Sequence, residues 1–337
     1  MIHGGQLSKI AEQYNIPETE WIDLSTGIAP FSYPVQCLPD HVWQNLPNVS
    51  TSLLTTARLY YQADYCWPLA GSQNLIEKLP MLWRQKCHPL LNRHVYLPKV
   101  GYKEHQQAWS NAGYQLHFYQ QTLPTNIENN SVVVVINPNN PLTDVFSITQ
   151  LKQLQQHCHQ QQALLIIDEA FADIYDKAFS FVPQLNKVAI TDTLILRSFG
   201  KFFGLAGLRV GFVCCQQAWY ELIKENTGPW SVNGPALYIT EQALQDKAWQ
   251  AKQTLRLQQH SQSLKNLLAI YFPDARIEAN ALFITLFVDN AEVIYDQLCR
   301  KAVYVRLTDE KNALRFGIAT EQQLIQLEKI MAKINLG

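Results

Sequence analysis

The sequence predicts an α/β protein: a mostly parallel mixed sheet with helices on both faces, plus a smaller α+β domain. Two observations predict it. First, four apolar runs of strand length recur in the middle of the chain, at 132–136 (VVVVI), 163–167 (ALLII), 193–196 (TLIL) and 208–213 (LRVGFV), with helical or irregular stretches between them. Runs without polar alternation are strands buried on both faces, the pattern of a largely parallel sheet covered by helices. Second, each of the first three runs ends in polar residues: Asn137 to Asn140, then Asp168 and Glu169, then Ser198 to Lys201.

Composition bounds what such a fold can do. The chain has 337 residues, 47% hydrophobic and 16% charged, enough for a sizeable core in one large or two medium domains. Lys plus Arg (27) nearly balances Asp plus Glu (28), which argues against nucleic acid or an anionic membrane surface as partner. No apolar run approaches the roughly 20 residues that span a bilayer. Seven scattered cysteines, an odd number, do not make a disulfide framework, and the stretch after Met1 is polar, so a reducing cytoplasm is expected. There is no repeat at solenoid periods and no heptad seam.

Two stretches invite a metal reading and do not sustain it. In "QQHCHQQQ" at 155–162, His157 and His159 are two apart at a helix end and point to different faces. Cys214 and Cys215, after "RVGFV", read as strand core. No metal is expected.

The strand ends carry the chemistry. In an open α/β sheet the carboxyl ends of the strands face the ligand crevice, so Asn140, Asp168, Ser198 and Lys201 converge there. Taken singly, each has a structural use: Asn-Pro makes turns, Asp and Ser cap helices, Lys snorkels. Four in succession point to a site. An amine, a carboxylate, an amide and an arginine in one crevice suit pyridoxal 5'-phosphate, whose aldehyde condenses with a lysine and whose ring nitrogen must keep a proton. Lys201 supplies the amine, and Asp168 faces the ring nitrogen with a charge that favours its proton. Asn140 donates to the ring oxygen. Arg209, eight residues after Lys201, and Ser198, three before it, offer a guanidinium fork and a hydroxyl to the phosphate.

"SFGKFFGLAGLR" at 198–209, with "NPNNP" at 137–141 and "DEAF" at 168–171, resembles the signature of fold type I pyridoxal-phosphate enzymes, in the branch that holds histidinol-phosphate aminotransferases. The resemblance implies the fold type I transferase fold and a homodimer with cofactor sites near the interface. In "LAGSQNLIEKLPMLW" at 69–83, Gly71, Ser72 and Gln73 open a periodic helix whose free N–H groups suit a phosphate, although Ser72 also reads as an ordinary cap. Tyr102, in "GYKEHQQAW", falls where the family stacks an aromatic ring on the cofactor; alone it reads as core packing.

The opening, "HGGQLSKIAEQYNIPETEWIDLSTGIAPFSYP" at 3–34, is similar to that of the threonine-phosphate decarboxylases of cobalamin biosynthesis. That similarity implies decarboxylation of L-threonine O-3-phosphate to (R)-1-aminopropan-2-yl phosphate. The alternative is an aminotransferase of the histidinol-phosphate type, and a third reading is a relative that only holds the cofactor. By the same resemblance, Arg315 in "NALRFGIA" takes the substrate carboxylate; Arg306 in "VYVRLTD" is a second anion site or a salt bridge, and His3 adds a donor to the substrate phosphate. The pattern has departures. Phe171 replaces a common tyrosine, Ala29 replaces the asparagine of the "STGINP" turn, and "LPN" at 46–48 stands where the aminotransferases show "YPD". The expected domains are an N-terminal arm at 1–39, a large cofactor-binding domain at 40–225 and a small domain at 226–337, with the Gly/Pro-rich "TGPWSVNGPA" between the last two.

Overall fold

Seven strands pair side by side in the computed structural model, which describes residues 4–87, 92–187 and 192–334. Their order is Tyr65–Leu69, Gly211–Cys215, Thr193–Ser198, Leu164–Asp168, Val132–Ile136, His94–Pro98 and Gln115–Tyr119. Gly211–Cys215 is antiparallel to both its neighbours, and every other pairing is parallel, so six strands run one way. The central strands, valine-, isoleucine- and leucine-rich, are buried along their whole length except at the half-buried Ser198, as expected for a sheet covered on both faces.

Helix Ser72–Cys87 buries Leu75, Ile76, Leu79, Leu82 and Trp83, spacings that keep one stripe of the helix on the sheet. Trp83 stacks on Trp219 of helix Gln217–Asn226, with ring centroids 6.3 Å apart. Helix Ile148–Gln160 begins with a capping box in which Ser147 and Gln150 satisfy each other's backbone N–H groups. His157 and His159 lie in its last turn, and Cys214 and Cys215 are buried strand residues.

One run differs from its expected extent. The apolar stretch at 208–213 forms a strand only from Gly211 to Cys215. Ala206–Leu208 is a turn of 3₁₀ helix, and Arg209 adopts φ 56°, a left-handed conformation no strand accommodates. The backbone therefore swings Arg209 back before the strand begins.

The chain divides into two units. The larger holds residues 33–140 and 144–247, and the smaller holds 1–32, 141–143 and 248–337. The larger unit continues past the Gly/Pro-rich loop because helix Gly234–Gln245, capped by the Asn233 side chain, packs on helix Thr51–Tyr61.

The smaller unit has its own sheet, antiparallel in the order Arg306–Leu307, Ala313–Gly317, Phe283–Phe287, Arg276–Ala279. Leu264, Leu268, Ile284, Leu286, Leu298, Leu314 and Phe316 form its core. The N-terminal segment is woven into it. Ile22–Asp23 runs parallel to Val303–Tyr304, and Gly317 donates its N–H to Leu24 O at 2.6 Å. A Cβ at Gly317 would stand 2.2 Å from Thr26 O, so only glycine lets this segment approach. Among the described residues, no helix is long and apolar enough to cross a membrane.

Candidate active site

The polarity of the large sheet decides where its polar residues meet. The carboxyl ends of six strands and the start of the seventh lie along one edge, and a cavity opens there. Gly71, Ser72 and Gln73 follow one strand and Tyr102 follows another; all four line the cavity. Asn140, Asp168, Ser198, Lys201 and Arg209 line it too, Ser198 and Lys201 from one strand end and the others each from the end or start of another strand. The nine residues expected in the larger unit are thus neighbours in space.

Asp168 is the innermost, 3% exposed at the end of the central strand Leu164–Asp168. Its Oδ1 accepts the Ala170 N–H at 3.0 Å, and its Oδ2 lies 2.8 Å from His105 Nε2. A carboxylate only accepts, so Nε2 is the donor. His105 is 1% exposed and its other ring nitrogen, Nδ1, has no hydrogen-bond partner, which leaves Asp168 as the polar contact that orients the ring. Sequence reasoning did not single out His105. A local signal exists: it follows Tyr102 by three residues, on the same helical face. Its pairing with Asp168, 63 positions along the chain, has no local signature.

Tyr102 extends the chain of contacts. Its ring meets His105 edge-on at 6.2 Å, and its hydroxyl donates to Gln73 Oε1 at 3.1 Å. The Gln73 amide donates in turn to Glu77 and Glu104, at 2.9 and 3.0 Å. Gln73 therefore braces Tyr102 through its side chain, and it stands in the first turn of its helix, where backbone N–H groups have no partner within the helix.

The cavity is shaped for an anion at one end. Helix Ser72–Cys87 begins there, and Gly71, at φ 78°, lies under Arg209: a Cβ on it would sit 3.1 Å from a guanidinium nitrogen. A Cβ on Gly211 would come within 2.6 Å of Ser72 N and 2.9 Å of Arg197 O, so this glycine admits the helix start against the neighbouring strand. Helix-start residues Ser72 and Gln73, Ser198 and Arg209 thus line one cavity, a set of donors of the kind a phosphate takes.

Lys201 belongs to the short helix Phe199–Phe202, and its Nζ lies 5.5 Å from the centre of the buried Phe171 ring. Of the asparagines in "NPNNP", Asn137 closes a loop through both amide atoms to Phe146, and Asn139 donates to Val100 O. Asn140 is the one that lines the cavity.

Arg306 and Arg315 lie in the smaller unit, directly opposite each other on adjacent antiparallel strands. They are 7% and 4% exposed. Arg315 donates to Ser25 O at 2.6 Å, and Arg306 has Asp309 at 3.7 Å. Burial, and then the Arg306 charge, draw the Arg315 guanidinium down from its ordinary value, to about 9, so it keeps its proton at neutral pH. Two buried like charges side by side favour an anion between them. Ser25 is itself held: its N–H and hydroxyl donate to Asp23 Oδ1, and its hydroxyl accepts the Gly5 N–H at 2.8 Å. His3 lies outside the described residues.

We expect His105→Ala to lower stability by about 1–3 kcal/mol, the usual cost of a buried group left short of a partner, while His159→Ala, exposed on a helix end, changes it little. Thermal denaturation of the two variants checks this.

The chain is similar to known proteins over nearly its whole length. The model for the family "Aminotransferase class I and II" matches residues 46–328. A threonine-phosphate decarboxylase of Pseudomonas aeruginosa is 34% identical, covering 95% of this chain and 93% of that one. Another threonine-phosphate decarboxylase, from Sinorhizobium sp, is 30% identical with 95% and 94% covered. In three dimensions, histidinol-phosphate aminotransferase from Sinorhizobium meliloti, solved in complex with pyridoxal-5'-phosphate, superposes with a TM-score of 0.81 at 14% identity, over 98% of this chain and 96% of that one. The last match speaks for the fold, and the first two carry it to the sequence. The chain belongs to the class I and II aminotransferase family, with the fold type I architecture of its members.

Proposed function

We propose that this chain decarboxylates L-threonine O-3-phosphate to (R)-1-aminopropan-2-yl phosphate with pyridoxal 5'-phosphate as cofactor. One observation carries the proposal: an amine, a buried carboxylate and an anion cup line a single cavity at the strand ends, in a chain 34% identical to a threonine-phosphate decarboxylase along 95% of its length. The donor set fits the cofactor. Arg209, Ser198 and the N–H groups at Ser72 and Gln73 suit its phosphate, Asp168 its ring nitrogen, Asn140 its ring oxygen, Tyr102 its face and Lys201 its aldehyde.

When bound, pyridoxal phosphate supplies an aldehyde that captures the substrate amine and a protonated ring that accepts the electron pair of the bond broken at Cα. The residues of the chain do the rest. Asp168 holds a proton at the ring nitrogen, and His105 keeps the carboxylate oxygens aimed. Arg315, with Arg306 beside it, grips a substrate anion by two oxygens at once and so decides which bond at Cα is aligned for cleavage. Lys201 moves protons at Cα: it delivers one to the carbon from which carbon dioxide departs, so substrate plus one proton gives amine plus carbon dioxide. Phe171 offers no hydroxyl, which leaves Asn140 as the side-chain donor proposed for the ring oxygen.

The same reading places the protein in the cytoplasm as a homodimer acting on a small phosphorylated amino acid. The larger unit exposes Trp43, Leu46, Leu59 and Trp230 at 66%, 66%, 76% and 59%, apolar side chains that a second copy would cover. Sedimentation equilibrium is expected to return twice the chain mass; a monomer at micromolar concentration contradicts the dimer.

The activity itself is tested by incubating the cofactor-loaded protein with L-threonine O-3-phosphate and no keto acid. Carbon dioxide and aminopropanol phosphate are expected in equal amounts, and Arg315→Lys is expected to raise KM about tenfold, the equivalent of about 1.4 kcal/mol. Turnover that requires a keto acid and forms its amino acid would make the enzyme an aminotransferase instead.

A further inference from the structure

Behind the cavity lies a second set of charges that the proposed chemistry does not use. Glu169 follows Asp168, and Arg197 precedes Ser198; neither lines the cavity. Both are buried, at 0% and 3% exposed. Arg197 Nη1 donates to Glu169 Oε2, and Nη2 donates to Asp173 Oδ1. Glu169 further accepts the Phe181 N–H at 2.7 Å and the Ser180 hydroxyl at 2.6 Å, and Tyr60 donates to Asp173 at 3.1 Å. The Tyr61 ring lies 5.0 Å from the guanidinium carbon.

A purely structural ion pair could sit anywhere in the core. This one joins the carboxyl ends of two adjacent strands, one residue away from Asp168 on one and Ser198 on the other, both of which line the cavity. The ladder is tight at this level: Asp168 pairs with Leu196, and Glu169 N donates to Leu196 O at 2.9 Å. The Arg197 carbonyl and the start of helix Ser72–Cys87 both lie against Gly211, within 2.9 and 2.6 Å of where its Cβ would stand. Arg197 thus touches the frame of the phosphate cup by its backbone and the frame of Asp168 by its side chain.

We propose that the Glu169–Arg197 pair is a positioning clamp, holding the ends of strands Leu164–Asp168 and Thr193–Ser198 at the spacing that lets Asp168 and the Ser198–Lys201 turn engage one cofactor together. The inference rests on the reading of the cavity as a pyridoxal-phosphate site. Because side chains so close to the reacting centre need placement within a fraction of an ångström, a small relaxation of the strand ends is felt in cofactor binding before it is felt in the fold.

The test compares cofactor-loaded Glu169→Gln and Arg197→Lys with wild type and with Leu154→Ala, a cavity-forming control in the buried face of helix Ile148–Gln160. Two quantities are read beside the thermal midpoint: the dissociation constant for pyridoxal phosphate, and the visible circular dichroism per bound cofactor at saturation. Glu169→Gln is expected to weaken binding at least tenfold and to reduce the dichroism at least twofold. Arg197→Lys keeps the charge, loses the fork and is expected to shift both in the same direction by less; it carries the test if Glu169→Gln does not fold. Leu154→Ala is expected to lower the thermal midpoint and leave both within twofold. Wild-type affinity and dichroism in the clamp variants, or equal losses in Leu154→Ala, overturn the clamp alone. Failure of the wild type to take up pyridoxal phosphate overturns the clamp and the cofactor reading together.

Discussion

The hydrogen bond from His105 to Asp168 is the contact on which the rest of the site depends. A carboxyl group this far inside an apolar sheet is tolerated only if its oxygens have donors, and the interior offers few. The Ala170 N–H takes one oxygen and His105 the other. With both occupied, the group has one orientation, and the cavity floor is set. His105 is in turn placed by its helix, whose first residues follow Tyr102 into the cavity wall. Strand Leu164–Asp168 carries one partner, and the helix that follows strand His94–Pro98, two places along the same parallel sheet, carries the other across the strand ends.

Each unit gathers donors suited to an anion, and the two sets differ in construction. In the larger unit the cup relies on backbone: a helix start, two glycines that admit close approach, and one exposed arginine at positive φ. In the smaller unit the site relies on side-chain charge, with two buried guanidinium groups on paired strands. A backbone cup suits a phosphate that stays bound. A charged pair favours an anion because binding relieves the repulsion between Arg306 and Arg315. The turn at 25–31 completes that second site by packing: Ala29 is buried, Phe31 lies against Arg256 and His260, and Gln253 donates to its carbonyl. A polar side chain at position 29 is not needed to hold the turn.

Much of this was legible in the sequence because it is encoded locally. Apolar runs at 132–136, 163–167 and 193–196 mark strands since a strand buried on both faces leaves no polar alternation, and the polar residues after them mark the crevice because parallel strands end at one edge. Ser198, Lys201 and Arg209 keep a fixed spacing that a single turn brings together. What stayed hidden is pairwise and distant. His105 meets Asp168 across 63 positions, and Glu169 meets Arg197 across 28. Neither pairing has a pattern of its own, since any buried polar residue needs some partner and sequence does not say which. The 208–213 run misled for a different reason: Leu208 and Arg209 have strand-like neighbours, but Arg209 must fold back toward Gly71, and only the left-handed backbone allows it.

The central claim is that the amine of Lys201 and the carboxylate of Asp168 address one bound pyridoxal phosphate. Borohydride reduction of the cofactor-loaded protein, followed by peptide mass spectrometry, tests it most directly. The account predicts a single pyridoxyl adduct on the peptide that contains Lys201, lost in Lys201→Ala. An adduct confined to another lysine, or a protein that retains no reducible cofactor, would contradict it.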